Sequence, residues 1–289
     1  MKITGFTIIK NALINDYPIV EAIESVLPMV DEFIVLAGDS SDDTDQLIKN
    51  INSPKIKIHH STWNPALKKG GVVLADETNK AFDLIGSDSD WAFYIQGDEC
   101  IHEKYHSTVL AAAKEHLNNH KVEGLLFNYL HFYGTYDYIG DSRKWYNKEV
   151  RIIRNDKNIR AYRDAQGFRK NGKKLNVKQI DAWVYHYGWV KSPIQMKRKL
   201  METGKFWHDD ETLQARYDTK DVFDFTDFDS IAKFTGTHPA CMKQRIEQAN
   251  WNLTLDTSQK KMPFTDKLLT YAEKITGKRF FEFRNYHTI

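Results

Sequence analysis

Two carboxylates stand directly after an apolar run in the stretch WAFYIQGDEC, residues 91–100. The run is typical of a buried strand, and Asp98 and Glu99 follow at the point where that strand should end. Carboxylate oxygens suit hard divalent cations such as Mg²⁺ and Mn²⁺, which bridge protein carboxylates to a diphosphate. Asp98 is the natural ligand for such a cation. Read alone, however, the stretch fits an acidic turn as well as it fits a metal site.

A second oxygen-rich loop, GDSSDDT (38–44), follows the apolar run FIVLA (33–37). Its acids and hydroxyls also have a purely structural interpretation, as caps of the next helix. Both acidic motifs nevertheless follow strands, and the carboxyl ends of parallel strands lie at one edge of a sheet. Their shared position therefore favours a binding site over two unrelated turns.

His186 lies among aromatic residues in VYHYGWVKSP. A single histidine in such a stretch is more often a packed, hydrogen-bonded core residue than a ligand. Imidazole also binds Mn²⁺, so the spatial neighbours of His186 decide its role.

Strands and helices alternate over the first hundred residues. Apolar runs predict strands at 3–10, 33–37, 55–60 and 91–96, and segments between them show helical spacing. Asp16 is a possible N-cap of the first helix. This alternation predicts a parallel sheet whose binding edge lies at the carboxyl ends of its strands.

The second half has a different pattern. A helix is predicted in YHSTVLAAAKEHL, and longer strands in GLLFNYLHFYG and EVRIIRN favour an antiparallel extension of the sheet. Helices dominate after residue 191, and the acidic aromatic segment 221–229 is predicted as a loop between them. We therefore predict an α/β domain over 1–191 and a helical C-terminal extension over 192–289 that packs on it.

The composition limits the partners that can be expected. The 289 residues are 41% apolar, enough for a large core, and a net charge of +2 gives no reason to expect nucleic acid. The two cysteines, Cys100 and Cys241, fit neither a disulfide framework nor a cysteine metal site. The first residues lack a signal-peptide pattern, and no stretch approaches the roughly 20 apolar residues of a membrane span. The cytoplasm is therefore the expected compartment, with membrane contact at most peripheral.

The first predicted strand is not followed by a phosphate-binding glycine motif. The residues there read KNALIND, and neither GxGxxG nor GxxxxGKS/T occurs in the chain. A nucleotide would then be held by side chains and a cation rather than by a glycine-rich loop.

Four motifs occur in order along the chain: IIKNA, AGDSSDDT, DETNKAF and YIQGDE. Together they resemble the inverting glycosyltransferases of family 2, which have the GT-A fold, a Rossmann-like mixed sheet flanked by helices. The later segments FYG, RIIRN, VYHYGWV and GKRFFEFRNY resemble a bacterial subgroup that decorates lipopolysaccharide, capsule or similar glycans. The resemblance covers nearly the whole chain. It implies metal-assisted transfer of a sugar from a nucleotide-sugar donor to a glycan or glycolipid hydroxyl.

The resemblance also implies a metal site. The second acid of the family's DxD motif falls on Asp98, and His186 falls where a late ligand to the same Mn²⁺ or Mg²⁺ is often placed. Gln96 replaces the first acid of the motif. Its amide can hydrogen-bond a ribose hydroxyl but supplies no charge.

Four further residues acquire a nucleotide-binding role from the same resemblance. Lys10 and Asn11 fall in the turn that lines the nucleotide, while Asp39 and Asn79 fall in motifs that face the base or ribose. At two places where members of the family often carry an acid, this chain has small residues instead. These are Ala12 after the first strand, and Ala37 and Gly38 after the second. The identity of the nucleotide base therefore stays open.

Inversion needs one general base, which takes the proton of the acceptor hydroxyl as its oxygen attacks C1 of the donor sugar. The family's base lies between the acidic motif and the late histidine, where the chain offers Asp137, Asp141, Glu149, Asp156, Asp164 and Asp181. We predict Asp164, because it follows the RIIRN strand where related subgroups place a catalytic acid. The alternative is a loop aspartate paired with Arg160, Arg163 or Arg169.

Residues 129–146 are rich in aromatic side chains. Aromatic faces suit the apolar faces of sugar rings, although core packing is the usual role of such a cluster. The loop members Tyr136, Tyr138 and Trp145 are therefore predicted as an acceptor platform.

The tail KLLTYAEKITGKRFFEFRNY is amphipathic and basic. It fits contact with the inner face of a membrane that carries a lipid-linked saccharide acceptor. It also fits a C-terminal helix docked on the protein, so both interpretations stay open.

The leading hypothesis is a hexosyltransferase acting in polysaccharide biosynthesis. A noncatalytic nucleotide- or glycan-binding relative would explain the altered acidic motif. A sugar-phosphate nucleotidylyltransferase can have a similar sheet, but it usually carries a glycine-rich, Lys/Arg-bearing segment after the first strand, which IIKNALIND lacks.

Overall fold

The computed structural model of the chain describes residues 1–67, 70–208, 210–217 and 221–289. These residues form a mixed β-sheet flanked by helices, so the predicted α/β class is confirmed. The strands are β1 (Ile3–Ile9), β2 (Glu32–Ala37), β3 (Ile56–His60), β4 (Trp91–Tyr94), β5 (Glu99–Ile101), β6 (Gly124–Gly134), β7 (Tyr138–Gly140), β8 (Lys148–Arg154), β9 (Ile159–Tyr162), β10 (Gly167–Lys170), β11 (Lys173–Val190), β12 (Ile231–Lys233) and β13 (Tyr286–Thr288). The α-helices are α1 (Ile19–Val26), α2 (Thr44–Lys49), α3 (Val72–Asp83), α4 (His106–Glu115), α5 (Pro193–Gly204), α6 (Asp210–Tyr217), α7 (Lys243–Glu247) and α8 (Phe264–Thr276).

The main sheet has the strand order β3-β2-β1-β4-β8-β6-β11-β10-β9. β1 pairs in parallel with β2 and β4, and β2 pairs in parallel with β3, as the alternation of strands and helices predicts. β8 then runs antiparallel to both β4 and β6, which confirms the predicted antiparallel extension. β1, β2 and β4 are mostly apolar because both of their faces are covered, whereas β3 at the edge of the sheet has only partly buried and exposed residues.

Helices cover both faces of the sheet. α1 and α4 pack through Ile23 and Val109 in a core that includes Phe93 of β4. α3 packs through Phe82 in a second core that includes Tyr94. Because Phe93 and Tyr94 are neighbours in one strand, their side chains point to opposite faces, and the two cores sandwich the sheet.

The carboxyl ends of β1, β2 and β4 meet at one edge of the sheet, where Lys10, Asp39 and Gln96 follow them. β11 reaches the same edge from the second half of the chain. β5 pairs with β11 in antiparallel register and places Glu99 opposite His186. This pairing brings the late histidine next to the acidic motif.

Asp16 does not cap the first helix, contrary to the prediction. α1 begins at Ile19 behind Pro18, and Asp16 lies before it with a left-handed φ of 51°. Its carboxylate instead pairs with Arg245 and lies 3.9 Å from Lys191 Nζ. Asp16 therefore joins the turn after β1 to the C-terminal part of the chain.

The residues after 191 are not only helical. α5, α7 and α8 agree with the predicted dominance of helices after residue 191, and 221–229 is a loop as predicted. However, β12 pairs with β7, and β13 pairs with β11. These strands join the C-terminal residues to the first part, while the division at residue 191 stays a prediction. None of the helices in the described residues combines the length and apolar character needed to cross a bilayer.

A buried ion pair closes the turn after β4. Arg151 of β8 donates two hydrogen bonds to Glu99, from Nε to Oε2 and from Nη2 to Oε1, each 2.8 Å long. The Tyr129 hydroxyl and the Gln96 N–H also donate to this carboxylate, at 2.8 and 3.1 Å. Both members of the pair are fully buried. Glu99 is therefore a structural residue, and Asp98 is the carboxylate of the two that faces the edge of the sheet.

We expect Arg151→Met to lower the free energy of unfolding by about 3–5 kcal/mol, because it leaves the Glu99 carboxylate buried without a cation. Urea denaturation followed by circular dichroism measures the change. Arg160→Met is the matched control, since its pair with Asp83 is exposed and should contribute only about 0–1 kcal/mol. A loss in R151M no larger than in R160M would contradict this role of the pair.

Candidate functional site

A cavity of about 730 Å³ lies at the carboxyl edge of the parallel strands. This volume falls within the range of about 300–1,000 Å³ that is usual for small-molecule sites. Seven residues singled out from the sequence line it, namely Lys10, Asn11, Asp39, Gln96, Asp98, Asp164 and His186. The fold thus gathers these side chains from widely separated segments into one place.

The Asp98 carboxylate lies between a lysine and a histidine. Its Oδ2 accepts a hydrogen bond from Lys199 Nζ at 3.2 Å, and its Oδ1 lies 3.8 Å from His186 Nε2. Burial would raise the pKa of Asp98, but nearby cations, above all Lys199, lower it to about 2. Asp98 is therefore ionised at neutral pH although it is largely buried.

His186 is oriented by a second histidine. His131 Nε2 lies 2.7 Å from the carbonyl oxygen of Tyr146, and His131 Nδ1 lies 3.3 Å from His186 Nδ1. Burial lowers the pKa of both imidazoles, that of His131 to about 3, so both rings are neutral at pH 7. Because a carbonyl only accepts, we assign the proton of His131 to Nε2 and that of His186 to Nδ1. This assignment leaves a lone pair on His186 Nε2, the atom nearer to Asp98.

Asp98 and His186 together offer two ligand atoms that would suit a divalent cation. Their facing atoms are an ionised oxygen and an unprotonated nitrogen, and the other His186 nitrogen is held by a hydrogen bond, as is usual for metal-bound histidine. In the described parts of the chain, no three His, Cys, Asp or Glu side chains form a group that could hold a metal ion. The remaining coordination positions would be filled by water and ligand oxygens, as is common for Mg²⁺. Lys199 would compete with such a cation for Asp98.

Lys10 and Asp39 join the first two strand ends beside the cavity. Lys10 Nζ donates to Asp39 Oδ1 at 2.7 Å, and the Trp63 backbone N–H donates to the same oxygen at 3.1 Å. Burial would raise the pKa of Asp39, but these hydrogen bonds lower it. The indole N–H of Trp63 is buried and has no hydrogen-bond partner within the described residues. This N–H is therefore an unsatisfied donor in a side chain that lines the cavity.

Gly38 explains why the first acid of this loop comes late. A Cβ at position 38 would lie 2.4 Å from Trp63 Nε1 and 3.1 Å from Lys10 Cβ. The position has no room for a side chain, acidic or otherwise. Asp39 is therefore the first residue of the loop that can present a carboxylate to the cavity.

Asn11 fixes the acidic loop against the end of β1. Its Oδ1 accepts from the Ser41 N–H at 2.8 Å, and its own N–H donates to Ser40 Oγ at 2.9 Å. Asn11 has a left-handed φ of 53°, which asparagine tolerates better than most residues. Its side chain thus lines the cavity and also holds one of the cavity's loops.

Asp164 lies where this cavity meets a second one. The second cavity has a volume of about 970 Å³ and shares Tyr146, Asp164 and Gln166 with the first. Arg163 and Ala165, on either side of Asp164, have left-handed φ angles of 57° and 60°. Such conformations cost on the order of 1 kcal/mol or more each and cluster at functional sites.

The alternative role predicted for Asp164, a pair with a neighbouring arginine, does not occur. Arg160 pairs with Asp83 at 2.6 Å, and Arg169 donates to the Asn285 carbonyl at 2.8 Å. Arg163 lies over the Tyr162 ring, 5.1 Å from its centroid. None of the three arginines neutralises the Asp164 carboxylate.

Asn79 lies outside the cavity. Its Oδ1 accepts a hydrogen bond from the Ala161 N–H at 2.8 Å and so joins α3 to β9. The side chain is therefore engaged in holding a helix on the sheet.

The predicted aromatic platform is not formed. Tyr136 and Tyr138 are only 7% and 6% exposed and pack in two hydrophobic cores. Trp145 is partly buried against His131 and Gly140 and lines neither cavity. Burying these rings in the cores is more favourable in free energy than exposing them in a loop. The cluster therefore has the usual role of aromatic residues, which is core packing.

Several lining residues carry no predictive pattern in the sequence. They include Tyr17, Trp63, Tyr146, Gln166, Trp189 and Lys199. Trp63 follows β3 at the same sheet edge, so the strand-end rule could have found it. Lys199 lies in α5 and reaches Asp98 only through the tertiary fold, which no local pattern indicates.

Glu149 is a buried carboxylate beside the second cavity. Its Oε1 accepts from Gln166 Nε2 at 2.7 Å, while Oε2 has no hydrogen-bond partner in the described structure. Burial raises the pKa of Glu149 to about 7, although Arg151 and the hydrogen bond from Gln166 oppose the shift. Glu149 thus exchanges a proton near neutral pH next to a residue that lines both cavities.

This raised pKa predicts a loss of stability as the pH rises. The folded state holds the Glu149 proton up to about pH 7, whereas the unfolded chain releases it near pH 4.5. The stabilisation is therefore complete below pH 4.5 and lost by pH 8. Relative to Glu149→Gln, the wild type should lose on the order of 3 kcal/mol between these limits.

Urea denaturation at several pH values measures this difference. Asp181→Asn, which changes an exposed carboxylate, is the control and should run parallel to the wild type. A constant difference between the wild type and E149Q from pH 4.5 to 8 would contradict the assignment.

Comparisons with known proteins do not place the chain in a family. No protein-family model and no curated protein matches the sequence. Among solved structures, TarS of S. aureus aligns over 76% of this chain and 41% of its own, with 16% identity and a TM-score of 0.42. TarS 1-349 in complex with UDP aligns over 76% of this chain and 68% of its own, with 14% identity and a TM-score of 0.40.

A third solved structure is glucosyl-3-phosphoglycerate synthase of Mycobacterium tuberculosis, in complex with Mn²⁺, UDP and phosphoglyceric acid. It aligns over 45% of this chain and 43% of its own, with 18% identity and a TM-score of 0.32. The chain thus spans less than half the length of TarS and of this synthase. Sequence identities and TM-scores this low assign neither a family nor an activity.

Proposed function

We propose that this protein is an inverting glycosyltransferase that moves a hexosyl group from a nucleotide-sugar donor to a hydroxyl of a glycan or lipid-linked saccharide. The observation that carries the proposal is the convergence of Lys10, Asp39, Asp98 and His186 on one cavity, with Asp164 at its junction with a second. A mixed α/β sheet with the site at its carboxyl edge is also the architecture expected of a GT-A enzyme.

We assign the first cavity to the donor. The diphosphate belongs beside Asp98 and His186, because these two residues would hold Mn²⁺ or Mg²⁺. When bound, such a cation neutralises the negative charge that develops on the departing nucleoside diphosphate. Lys199, which donates a hydrogen bond to Asp98, would supply a further positive charge beside the diphosphate.

The nucleoside belongs at the other end of the cavity. Asp39 offers a carboxylate that can accept from a base or ribose, and the Trp63 ring lines the cavity beside it. Gln96 lines the same cavity and can hydrogen-bond a ribose hydroxyl through its amide. These side chains can hydrogen-bond the polar edge of any nucleotide base, so their chemistry does not select one base.

We assign the second cavity to the acceptor and Asp164 to the general base. Asp164 lies on the border of both cavities, and an acceptor hydroxyl there can reach it. The hydroxyl oxygen forms the new bond to C1 of the sugar from the face opposite the diphosphate, and the bond from C1 to the diphosphate oxygen breaks. The Asp164 carboxylate takes the hydroxyl proton. Glu149 is the second candidate for this proton, because its carboxylate contacts Gln166 at the same border.

Turnover of a panel of nucleotide sugars in the presence of Mn²⁺ tests the proposal, with release of nucleoside diphosphate as the readout. Asp164→Asn should lower turnover by about 100-fold or more while donor affinity stays unchanged, because the base acts only in the chemical step. Asp181→Asn is the control at an exposed acid of the same candidate set and should retain full turnover.

Two outcomes would contradict parts of this account. Normal turnover in D164N together with loss of turnover in E149Q would move the base to Glu149. Donor binding without turnover of any sugar on any saccharide acceptor would indicate a noncatalytic binding protein.

A further inference from the structure

Helix α8 presents an apolar stripe to solvent. Phe264, Leu268, Tyr271 and Ile275 occupy positions i, i+4, i+7 and i+11, which share one face of a helix. Each of these side chains is between 59% and 80% exposed. A contiguous apolar face of this kind marks an interaction surface.

The opposite face of α8 is charged and contacts the protein. Glu273 accepts a hydrogen bond from Arg143 at 2.7 Å and lies 3.8 Å from Arg279, while Asp266 lines the second cavity. A surface helix usually turns its apolar face to the core and its charges to water. α8 has the reverse orientation. Packing within the described chain therefore leaves the apolar stripe uncovered, and a helix docked by its apolar face is not what the structure shows.

The segment after α8 continues the exposed apolar surface. The helix ends at Gly277 in the left-handed conformation, and Phe281 and Phe283 then follow with exposures of 93% and 73%. Phe281 itself has a φ of 57°, an unfavourable backbone conformation for a residue with a side chain. Phe281 belongs to none of the hydrophobic cores formed by the described residues, so core packing does not account for its position.

Basic residues accompany these apolar side chains. Residues 260–284 contain seven Lys or Arg and three Asp or Glu, whereas the whole chain is almost neutral. Lys267, Lys278 and Arg284 are exposed. The acids are turned to the protein, as for Glu282, which pairs with Arg279 at 3.3 Å. The outer surface of this segment is therefore both apolar and positively charged.

We propose that α8 and the residues after it, to Arg284, bind the surface of an anionic phospholipid bilayer. α8 would lie in the membrane plane, with its apolar stripe between headgroups and acyl chains and its lysines near lipid phosphates. Charge favours this partner over a second copy of the chain, because self-association would bring the same positive residues together.

The same segment lines the second cavity through Leu269, Phe281 and Phe283. Membrane binding therefore places that cavity next to the lipid surface. If the proposed function holds, a lipid-linked acceptor enters at this side and reaches Asp164. The membrane contact itself does not rest on the transfer reaction.

Co-sedimentation of the full chain with vesicles tests the proposal. The vesicles consist of phosphatidylcholine alone or with about 30% phosphatidylserine, and we expect binding to the anionic vesicles only. Leu268→Ser/Ile275→Ser should weaken this binding by at least about tenfold, because two aliphatic side chains leave the apolar boundary. Lys267→Glu/Lys278→Glu should also weaken it, and about 0.5 M NaCl should reduce wild-type binding.

Ile194→Ser/Val222→Ser is the matched control, because it removes two exposed aliphatic side chains elsewhere on the surface. It should bind vesicles as the wild type does. Equal binding of L268S/I275S and the wild type would overturn the proposal, and so would absence of wild-type binding to anionic vesicles. A wild-type dimer that L268S/I275S converts to a monomer, without vesicle binding, would assign the surface to a second copy.

Circular dichroism and nucleoside diphosphate binding, measured on the same variants, show whether they are folded. These readouts also separate the two proposals. A variant that loses vesicle binding but still binds nucleotide has lost only the membrane surface. A wild-type protein that binds vesicles but no nucleotide would contradict the transferase proposal and leave the membrane proposal intact.

Discussion

The Glu99–Arg151 ion pair holds the turn after β4 in the protein interior, and the geometry of the cavity follows from it. Glu99 lies opposite His186 in the pairing of β5 with β11, and the Tyr187 N–H donates to the Asp98 carbonyl at 2.7 Å. Asp98 lies in the turn before β5, which the Glu99 N–H closes by donating to the Gln96 carbonyl at 3.1 Å. The buried Glu99 and the Tyr187 N–H thus hold this turn on both sides of the Asp98 side chain, whose Oδ1 lies 3.8 Å from His186 Nε2.

Charge is distributed unevenly around this site. Asp98 is ionised but already has a cation partner in Lys199, while His186 is neutral and keeps a lone pair on Nε2 because its Nδ1–H donates a hydrogen bond to His131 Nδ1. A site of this kind is close to neutral before a ligand arrives. If the proposed function holds, a divalent cation would add the positive charge that a diphosphate requires, and the side chains of Lys199 and Lys10 line the same cavity. The second cavity differs in that its buried acid, Glu149, has a pKa near neutrality, so it suits proton exchange rather than fixed charge.

The alternating pattern of the first hundred residues predicts the parallel strands and the edge at which their carboxyl ends meet. It predicts that edge well because each strand is short, apolar and followed at once by polar residues such as Lys10 and Asp39. The same rule could not tell Asp98 from Glu99, because their different directions depend on Arg151, 52 residues away along the chain. Lys199 and Gln166 reach the cavities through tertiary contacts and carry no local signal. The prediction for the aromatic residues is wrong for a different reason. Tyr136 and Tyr138 lie in a segment with a loop-like sequence, which suggests exposure, but the free energy gained by burying their rings places them in the cores.

The central claim is that Asp98 and His186 bind a diphosphate through a divalent cation, and calorimetry tests it most directly. Nucleoside diphosphates are titrated into the wild type, Asp98→Ala and Asp181→Ala, each with and without Mn²⁺. We expect Mn²⁺ to strengthen binding at least about tenfold in the wild type and in D181A, and D98A to abolish this dependence. Equal affinity with and without Mn²⁺ in the wild type, or an unchanged Mn²⁺ effect in D98A, would contradict it.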